Sequence, residues 1–134
     1  MFQSMQDAYD KVVDHLEQQG RRGGKISHRA GTQYFECLYL APDGAKCAIG
    51  ALLPEGHPLL LDQNQAFEDY WNGTEYDPLF GIEGISDSVT RYFWQALQEA
   101  HDDSKSKNDL NIALAFIAEE HDLIPRTVTH WEET

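Results

Sequence analysis

The sequence predicts a mainly α-helical domain of about four helices with one small β-hairpin, and three observations support that fold class. Apolar residues recur with helical spacing in separate segments of the chain. One segment rich in aromatic and large aliphatic residues carries turn residues at its centre, which is typical of a hairpin. The length of 134 residues suits one hydrophobic core, so residues 1–134 are predicted to form a single domain.

The clearest helix is predicted over residues 4–19. Ser4 can cap its start, and Gly20 can take the left-handed conformation just after its end. The apolar residues fall on one helical stripe, which consists of Met5, Ala8, Tyr9, Val12, Val13 and Leu16. The next segment, residues 21–32, is polar, basic and contains glycine, so it is predicted to be a loop.

The hairpin is predicted over residues 34–53, the segment with the strongest core signal. Apolar runs at 34–40 and 47–53 are expected to form its two strands. Between the runs, Pro42 presets φ for a turn and Gly44 supplies a residue that tolerates positive φ.

Three helices are predicted in the rest of the chain. A short one lies around residues 63–71, a long one is capped by Asp87 or Ser88, and another long one ends before Pro125. The two long helices are joined by a short connection, which predicts that they pack antiparallel. The predicted apolar stripes are Val89, Tyr92, Phe93, Ala96, Leu97 and Ala100 in the first long helix, and Leu110, Ala113, Leu114, Ile117 and Ala118 in the second.

A family resemblance rests on a central motif. The motif consists of Cys37-Leu38-Tyr39, Pro42-Asp43-Gly44, Lys46-Cys47-Ala48-Ile49-Gly50, Leu52 and Pro54. With a helix ending in Gln-Gly-Arg before it and one ending in Ala-His-Asp after it, the chain resembles a group of small tailed-phage and prophage proteins over residues 7–124. The resemblance implies a phage accessory protein made in the bacterial host cytoplasm, and it carries over no functional residue.

The charge of the chain is unevenly distributed. The net charge is −13, and residues 1–46 contribute nothing to it because they hold as many bases as acids. Such a field disfavours nucleic acid and anionic membranes as partners and favours a basic protein surface. Solubility is the alternative explanation of the acidic excess. The carboxylates predicted to bind a partner are Glu68, Asp69, Glu75, Glu119, Glu120 and Asp122.

The sequence contains no pattern typical of an enzyme, a cofactor site or a metal site. Catalytic motifs such as GxSxG, HExxH or a glycine-rich phosphate loop are absent from the sequence. Cys37 and Cys47 are expected to be free structural thiols. His101 and His121 are predicted to lie at opposite ends of the antiparallel pair, too far apart for one metal. We therefore expect neither catalysis nor a cofactor.

The amino-terminal residues lack a signal-peptide pattern, and no run approaches the ~18 apolar residues of a membrane span. The chain is therefore expected in the cytoplasm, without a membrane partner.

Residues 117–131 resemble a helix-turn-helix, with Thr127 opening the recognition helix. Asp122 stands where glycine is usual, and the surrounding residues are mostly acidic, which opposes DNA binding. A packing turn with the same apolar pattern is the other interpretation, and a DNA-binding regulator remains an alternative function.

A second alternative is a small-ligand site near Trp71, Tyr76, Phe80 and Trp94. The leading hypothesis is a small acidic phage accessory protein that binds and modulates a host or phage macromolecule. Its expected role is host takeover or anti-defence, with carboxylates standing where DNA phosphates bind.

Overall fold

The computed structural model describes residues 1–63, 65–73 and 77–133 and confirms the mainly α-helical fold class. The described residues form five α-helices and one antiparallel pair of strands. In chain order these elements are α1 (Met5–Gln19), β1 (Gly24–Arg29), β2 (Thr32–Cys37), α2 (Pro58–Leu61), α3 (Phe67–Gly73), α4 (Asp87–Asp103) and α5 (Lys107–Glu120). In this part of the chain, no helix combines the length and the apolar character needed to cross a membrane.

Helix α1 has the buried face and the caps that its sequence predicts. Every residue of the predicted stripe is buried. The Ser4 Oγ accepts a hydrogen bond from the Asp7 N–H at 3.1 Å. Gly20 has a φ of 72°, and its N–H donates to the Leu16 carbonyl at 2.8 Å. Local periodicity and capping chemistry were therefore sufficient to define this helix.

The position predicted for the hairpin is wrong. β1 lies in the segment predicted to be a loop, and it pairs with β2 from Gly24↔Cys37 to Arg29↔Thr32. Ala30 and Gly31 form the turn, both with the positive φ that two-residue hairpin turns need. The first predicted strand overlaps β2 at residues 34–37, but β1 was missed because it buries little: the side chain of Ile26 is 59% exposed, so β1 has no hydrophobic run to detect.

The segment after the hairpin is buried as predicted, but it does not form a second strand. An isolated antiparallel bridge, Leu40↔Lys46, encloses the predicted turn. The chain then enters the core and forms a short 3₁₀ turn at Gly50–Leu52. Gly50 lies so close to Tyr39 that an added Cβ would stand 1.8 Å from the Tyr39 carbonyl oxygen. This close crossing explains why glycine is needed here.

Helices α4 and α5 pack antiparallel, as the sequence predicts. The His121 ring, just after α5, lies edge-on to Phe93 near the start of α4, with ring centroids 5.4 Å apart. The helix cap is Ser86 rather than Asp87 or Ser88. The predicted stripe of α4 is partly wrong, because the residues that the helix buries are Thr90, Phe93, Trp94, Leu97, Ala100 and His101.

No helix forms within residues 121–133, which contradicts the helix-turn-helix interpretation. The chain runs there as an extended arm whose backbone is held by side chains. Asn111 accepts from the Val128 N–H at 2.8 Å and donates to the Val128 carbonyl at 3.0 Å. The Trp131 indole N–H donates to the Ser104 carbonyl at 2.9 Å. Val128 and Trp131 are buried, so the apolar pattern of residues 117–131 serves packing.

Candidate functional site

A surface groove of about 480 Å³ runs between α4 and α5. Three large apolar side chains in it are strongly exposed: Tyr92 by 52%, Ile112 by 61% and Phe116 by 64%. Between them lie smaller or more buried residues, which are Ala96, Ala100, Ala113 and Ile117. The groove therefore has an apolar floor that the described part of the chain does not cover.

Helical periodicity explains why these residues share one groove. On α4, Tyr92, Ala96 and Ala100 follow one another at four-residue spacing, and on α5, Ile112 and Phe116 do the same. Ala100 belongs to the buried face of α4, whereas Tyr92, Ile112 and Phe116 are exposed beside the core stripes. Each helix thus carries exposed apolar surface next to its core stripe.

Carboxylates form the rim of the groove. Glu99 and Asp103 belong to α4, Asp109 and Glu120 belong to α5, and none of the described residues that line the groove is lysine or arginine. Because the helices are antiparallel, Asp103 and Asp109 lie at one end and Glu120 at the other. There a hydrogen bond to Glu120 raises the pKa of Tyr92. The groove is thus apolar at its centre and negative along its edges.

The six carboxylates predicted to bind a partner do not form one site. Glu120 lies in the groove, while Glu119 and Asp122 are exposed near its end without lining it. Glu68 and Asp69 are exposed in the first turn of α3 and do not line the groove, and Glu68 lines a smaller neighbouring pocket. Glu75 lies outside the described residues.

The other three rim carboxylates were not predicted from the sequence. A usable signal was present in Trp94, an apolar residue off the predicted stripe, because with it the apolar residues of α4 are too widely spread for one buried face. That stripe joined Tyr92 to Phe93, whereas the structure exposes Tyr92 and buries Phe93 completely. The surplus apolar residue was the indication of a second face.

A smaller pocket of about 290 Å³ lies beside Cys37, between the hairpin segment and α4. Two of its amide side chains hold backbone N–H groups. Gln63 accepts from the Leu40 N–H at 2.8 Å, and Gln98 accepts from the Ile49 N–H at 2.9 Å. These two amides hold the segment after the hairpin in place.

Cys37, His101 and Asp102 bring three possible metal-ligand atoms within 4.8 Å of one another. Both ring nitrogens of His101 are occupied, however. The Gly23 N–H donates to Nε2 at 2.8 Å, so Nδ1 carries the proton and donates to the Asp102 Oδ1 at 2.7 Å. A metal on Nδ1 would force a proton onto Nε2, where it would face the Gly23 N–H. The geometry therefore assigns this cluster a structural role.

The two cysteines are free thiols, with Cys47 buried and Cys37 half-buried. Burial raises the pKa of Cys37 to about 12 and has the same effect on Cys47. Since the thiolate is the nucleophile, thiols with such a high pKa are poorly suited to covalent catalysis.

A second histidine cluster also stabilises the fold. His57 Nδ1 accepts from the Leu59 N–H at 3.1 Å, which leaves Nε2 to donate to Asp77 at 3.2 Å. The Tyr70 hydroxyl donates to the same carboxylate at 2.7 Å. Burial opposes ionisation of Asp77, but the hydrogen bonds from Tyr70, Leu79 and His57 outweigh it and lower the pKa of Asp77. His57 has no lone pair left to act as a general base.

The aromatic residues proposed for a ligand site form part of the core. Phe80 and Trp94 are completely buried, and their ring centroids lie 6.1 Å apart. The Trp94 indole N–H donates to the Phe80 carbonyl at 2.8 Å. Trp71 packs against the same cluster, whereas Tyr76 lies outside the described residues. Phe80, Trp94 and Trp71 pack on one another within the core.

No protein family, curated protein or solved structure matches this chain. No relative therefore assigns a role to any of its residues. The α4–α5 groove is the strongest candidate site, because it joins exposed apolar surface to charge of a single sign.

Proposed function

We propose that this protein is a non-enzymatic, acidic binding module that engages a basic surface of a host or phage protein and modulates that protein. The observation that carries the proposal is the α4–α5 groove, whose exposed apolar floor is bordered by four carboxylates and by no basic side chain among the described residues. Apolar area contributes affinity on burial, and the carboxylates select for lysine and arginine.

The charge of the chain favours protein over nucleic acid as the partner. Nucleic-acid binding depends on the neutralisation of phosphates by lysine and arginine, and the net charge of −13 opposes it. A basic protein surface is instead attracted over a distance of about 8–10 Å at physiological salt. The same carboxylates can occupy a surface that normally binds DNA phosphates, which is the expected mode of action.

The buried polar clusters also favour binding over catalysis. Both nitrogens of His101 are engaged, and His57 uses one nitrogen for a backbone N–H and the other for Asp77. The thiols are held protonated by burial. These groups have fixed structural partners, whereas a catalytic group needs access to a substrate.

The biological setting in the proposal rests on the central motif. Its resemblance to small tailed-phage and prophage proteins supports a phage accessory protein made in the bacterial host cytoplasm, and host takeover or anti-defence is the role that we propose for it. A module that covers a basic surface with carboxylates suits that role, because many bacterial nucleases and regulators must expose basic surfaces to hold DNA.

The proposal is tested by capture of host proteins on the immobilised protein, followed by affinity measurement with each purified partner over a salt series. We expect the affinity to fall as salt rises and to fall again when Glu119, Glu120 and Asp122 are replaced by Gln, Gln and Asn. The matching change at Glu68, Asp69 and Glu75 tests the other acidic cluster. A partner whose affinity ignores both salt and these six substitutions would show that the acidic excess serves solubility alone.

A further inference from the structure

We infer that the α4–α5 groove receives an amphipathic, basic α-helix of the partner protein, and this inference rests on the function proposed above. The groove is a face of an antiparallel helix pair that no described residue covers, so a third helix could pack into it. The dimensions, backbone chemistry and charges of the groove each favour that occupant.

The length of the groove matches a short helix. Its lining runs from Tyr92 to Asp103 on α4 and from Asp109 to Glu120 on α5. At about 1.5 Å per residue each stretch is about 16 Å long, which equals three helical turns. The alanines at positions 96, 100 and 113 keep the floor low between the larger side chains of Tyr92, Ile112 and Phe116. Side chains of a partner helix can enter this trough as ridges enter grooves.

The backbone chemistry of the groove favours a helix over an extended peptide. Over the floor of the groove, residues 92–99 of α4 and 111–116 of α5 are helix interior, so their N–H and C=O groups are paired within each helix. An extended peptide would therefore find no backbone partners there and would leave its own polar groups unpaired against an apolar floor. A buried polar group without a hydrogen-bond partner weakens binding. A helix satisfies its backbone internally and presents only side chains.

The rim specifies the charge of the partner. Carboxylates stand on both sides of the floor, with Glu99 and Asp103 on α4 and with Asp109 and Glu120 on α5. A partner helix should therefore carry an apolar stripe flanked on both sides by lysine or arginine. The same rim opposes a second copy of this chain, since two such grooves brought face to face would oppose carboxylates to carboxylates.

The test uses three synthetic peptides of about 14 residues, enough for the three turns of the groove with a short flank. The first has leucines at helical spacing and lysines elsewhere. The second has the same composition in an order that gives no helical stripe, and the third has glutamate in place of lysine. Fluorescence anisotropy gives the affinity, and circular dichroism gives the helix content of the bound peptide. We expect the first peptide to bind as a helix, at least ~10-fold more tightly than the second, which is ~1.4 kcal/mol.

Substitutions in the protein locate the site. Ile112→Gln and Phe116→Gln remove apolar floor from strongly exposed positions, so the fold should be retained. Leu61→Gln is the matched control, because Leu61 is 80% exposed and lies on α2 outside the groove. The double variant Glu99→Gln, Glu120→Gln removes two negative charges from the rim. Its control is Glu55→Gln with Glu83→Gln, which removes the same charge from two exposed positions outside the groove. We expect each groove variant to weaken binding and each control to leave it unchanged.

The outcomes separate this inference from the proposed function. If both lysine peptides bind equally and the floor variants bind like the parent, the helix inference is overturned, while charge-dependent binding of a basic partner stands. If neither lysine peptide binds even at low salt, the proposed function fails and the helix inference fails with it. Binding of the glutamate peptide would contradict the role of the rim.

Discussion

The hydroxyl of Tyr9 ties the carboxyl-terminal arm to the helical core, and its removal should cost a measurable part of the stability. Tyr9 is completely buried. Its hydroxyl donates to the Leu114 carbonyl at 3.0 Å and accepts from the Arg126 N–H at 3.1 Å. Tyr9→Phe keeps the ring but removes both hydrogen bonds. With about 1 kcal/mol for each bond, the free energy of unfolding should fall by about 2 kcal/mol.

Urea denaturation measures this loss directly, and the melting temperature should fall by on the order of 6 °C for a domain of this size. Hydrogen exchange should also quicken at the Arg126 amide, because its acceptor has been removed. Tyr34→Phe is the control, since Tyr34 lies exposed on β2 and should tolerate the change. A loss below about 0.5 kcal/mol in Tyr9→Phe would refute the idea that this hydroxyl holds the arm.

Three further predictions follow from burial and charge. Ile49→Asp should prevent folding, because Ile49 is completely buried and an unpaired buried charge costs several kcal/mol against a total stability of about 5–15 kcal/mol. The control Ile26→Asp, on the exposed hairpin, should fold. A melting temperature of Ile49→Asp within a few degrees of the parent would be inconsistent with this core. Burial lowers the pKa of His15, so the unfolded chain binds a proton more readily than the folded protein, and stability should fall as pH drops below about 6.5. His15→Gln should therefore lessen the drop in melting temperature between neutral and mildly acidic pH. An unchanged drop would contradict this role of His15. At low salt the protein should not retard duplex DNA in a gel, and retardation that weakens steeply with salt would revive the regulator hypothesis.

The sequence predicted those elements whose signals are local. The stripe and caps of α1 lie within one continuous segment, and all of them were correct. The hairpin was misplaced because β1 and β2 are held by their turn and ladder rather than by buried apolar residues. Aromatic and aliphatic residues after β2 gave the stronger signal, but they mark chain buried in the core, where close packing of Gly50 on Tyr39 replaces a strand.

Leu38 illustrates the same limit at the level of one residue. Its place in an apolar run made it a predicted core position equivalent to Ile49. In the structure it is half-buried and lines the small pocket beside Cys37, while Ile49 is completely buried. An apolar run reports average burial, and tertiary packing decides which of its members reach the core.

The candidate site depended on long-range packing, which the sequence could not reveal. Whether Tyr92 faces the core or solvent is decided by what packs on the opposite side of α4, where Trp94 meets Phe80. The pairing of Gly23 with His101 joins residues far apart in the chain, so the two nitrogens of His101 could not be assigned in advance. Sequence reasoning found the acidic excess, and the structure located the part of it that borders apolar surface.

Backbone amide shifts of isotope-labelled protein, recorded during titration with the lysine-bearing helical peptide, test the central claim most directly. If the peptide binds in the groove, saturable shifts should concentrate in residues 92–103 of α4 and residues 109–120 of α5 and should diminish as salt rises. The hairpin and the wall of the Cys37 pocket that lies outside α4 should remain unchanged. Saturable shifts centred on that pocket or on α3, with the α4–α5 groove unaffected, would contradict the assignment of the groove as the binding site.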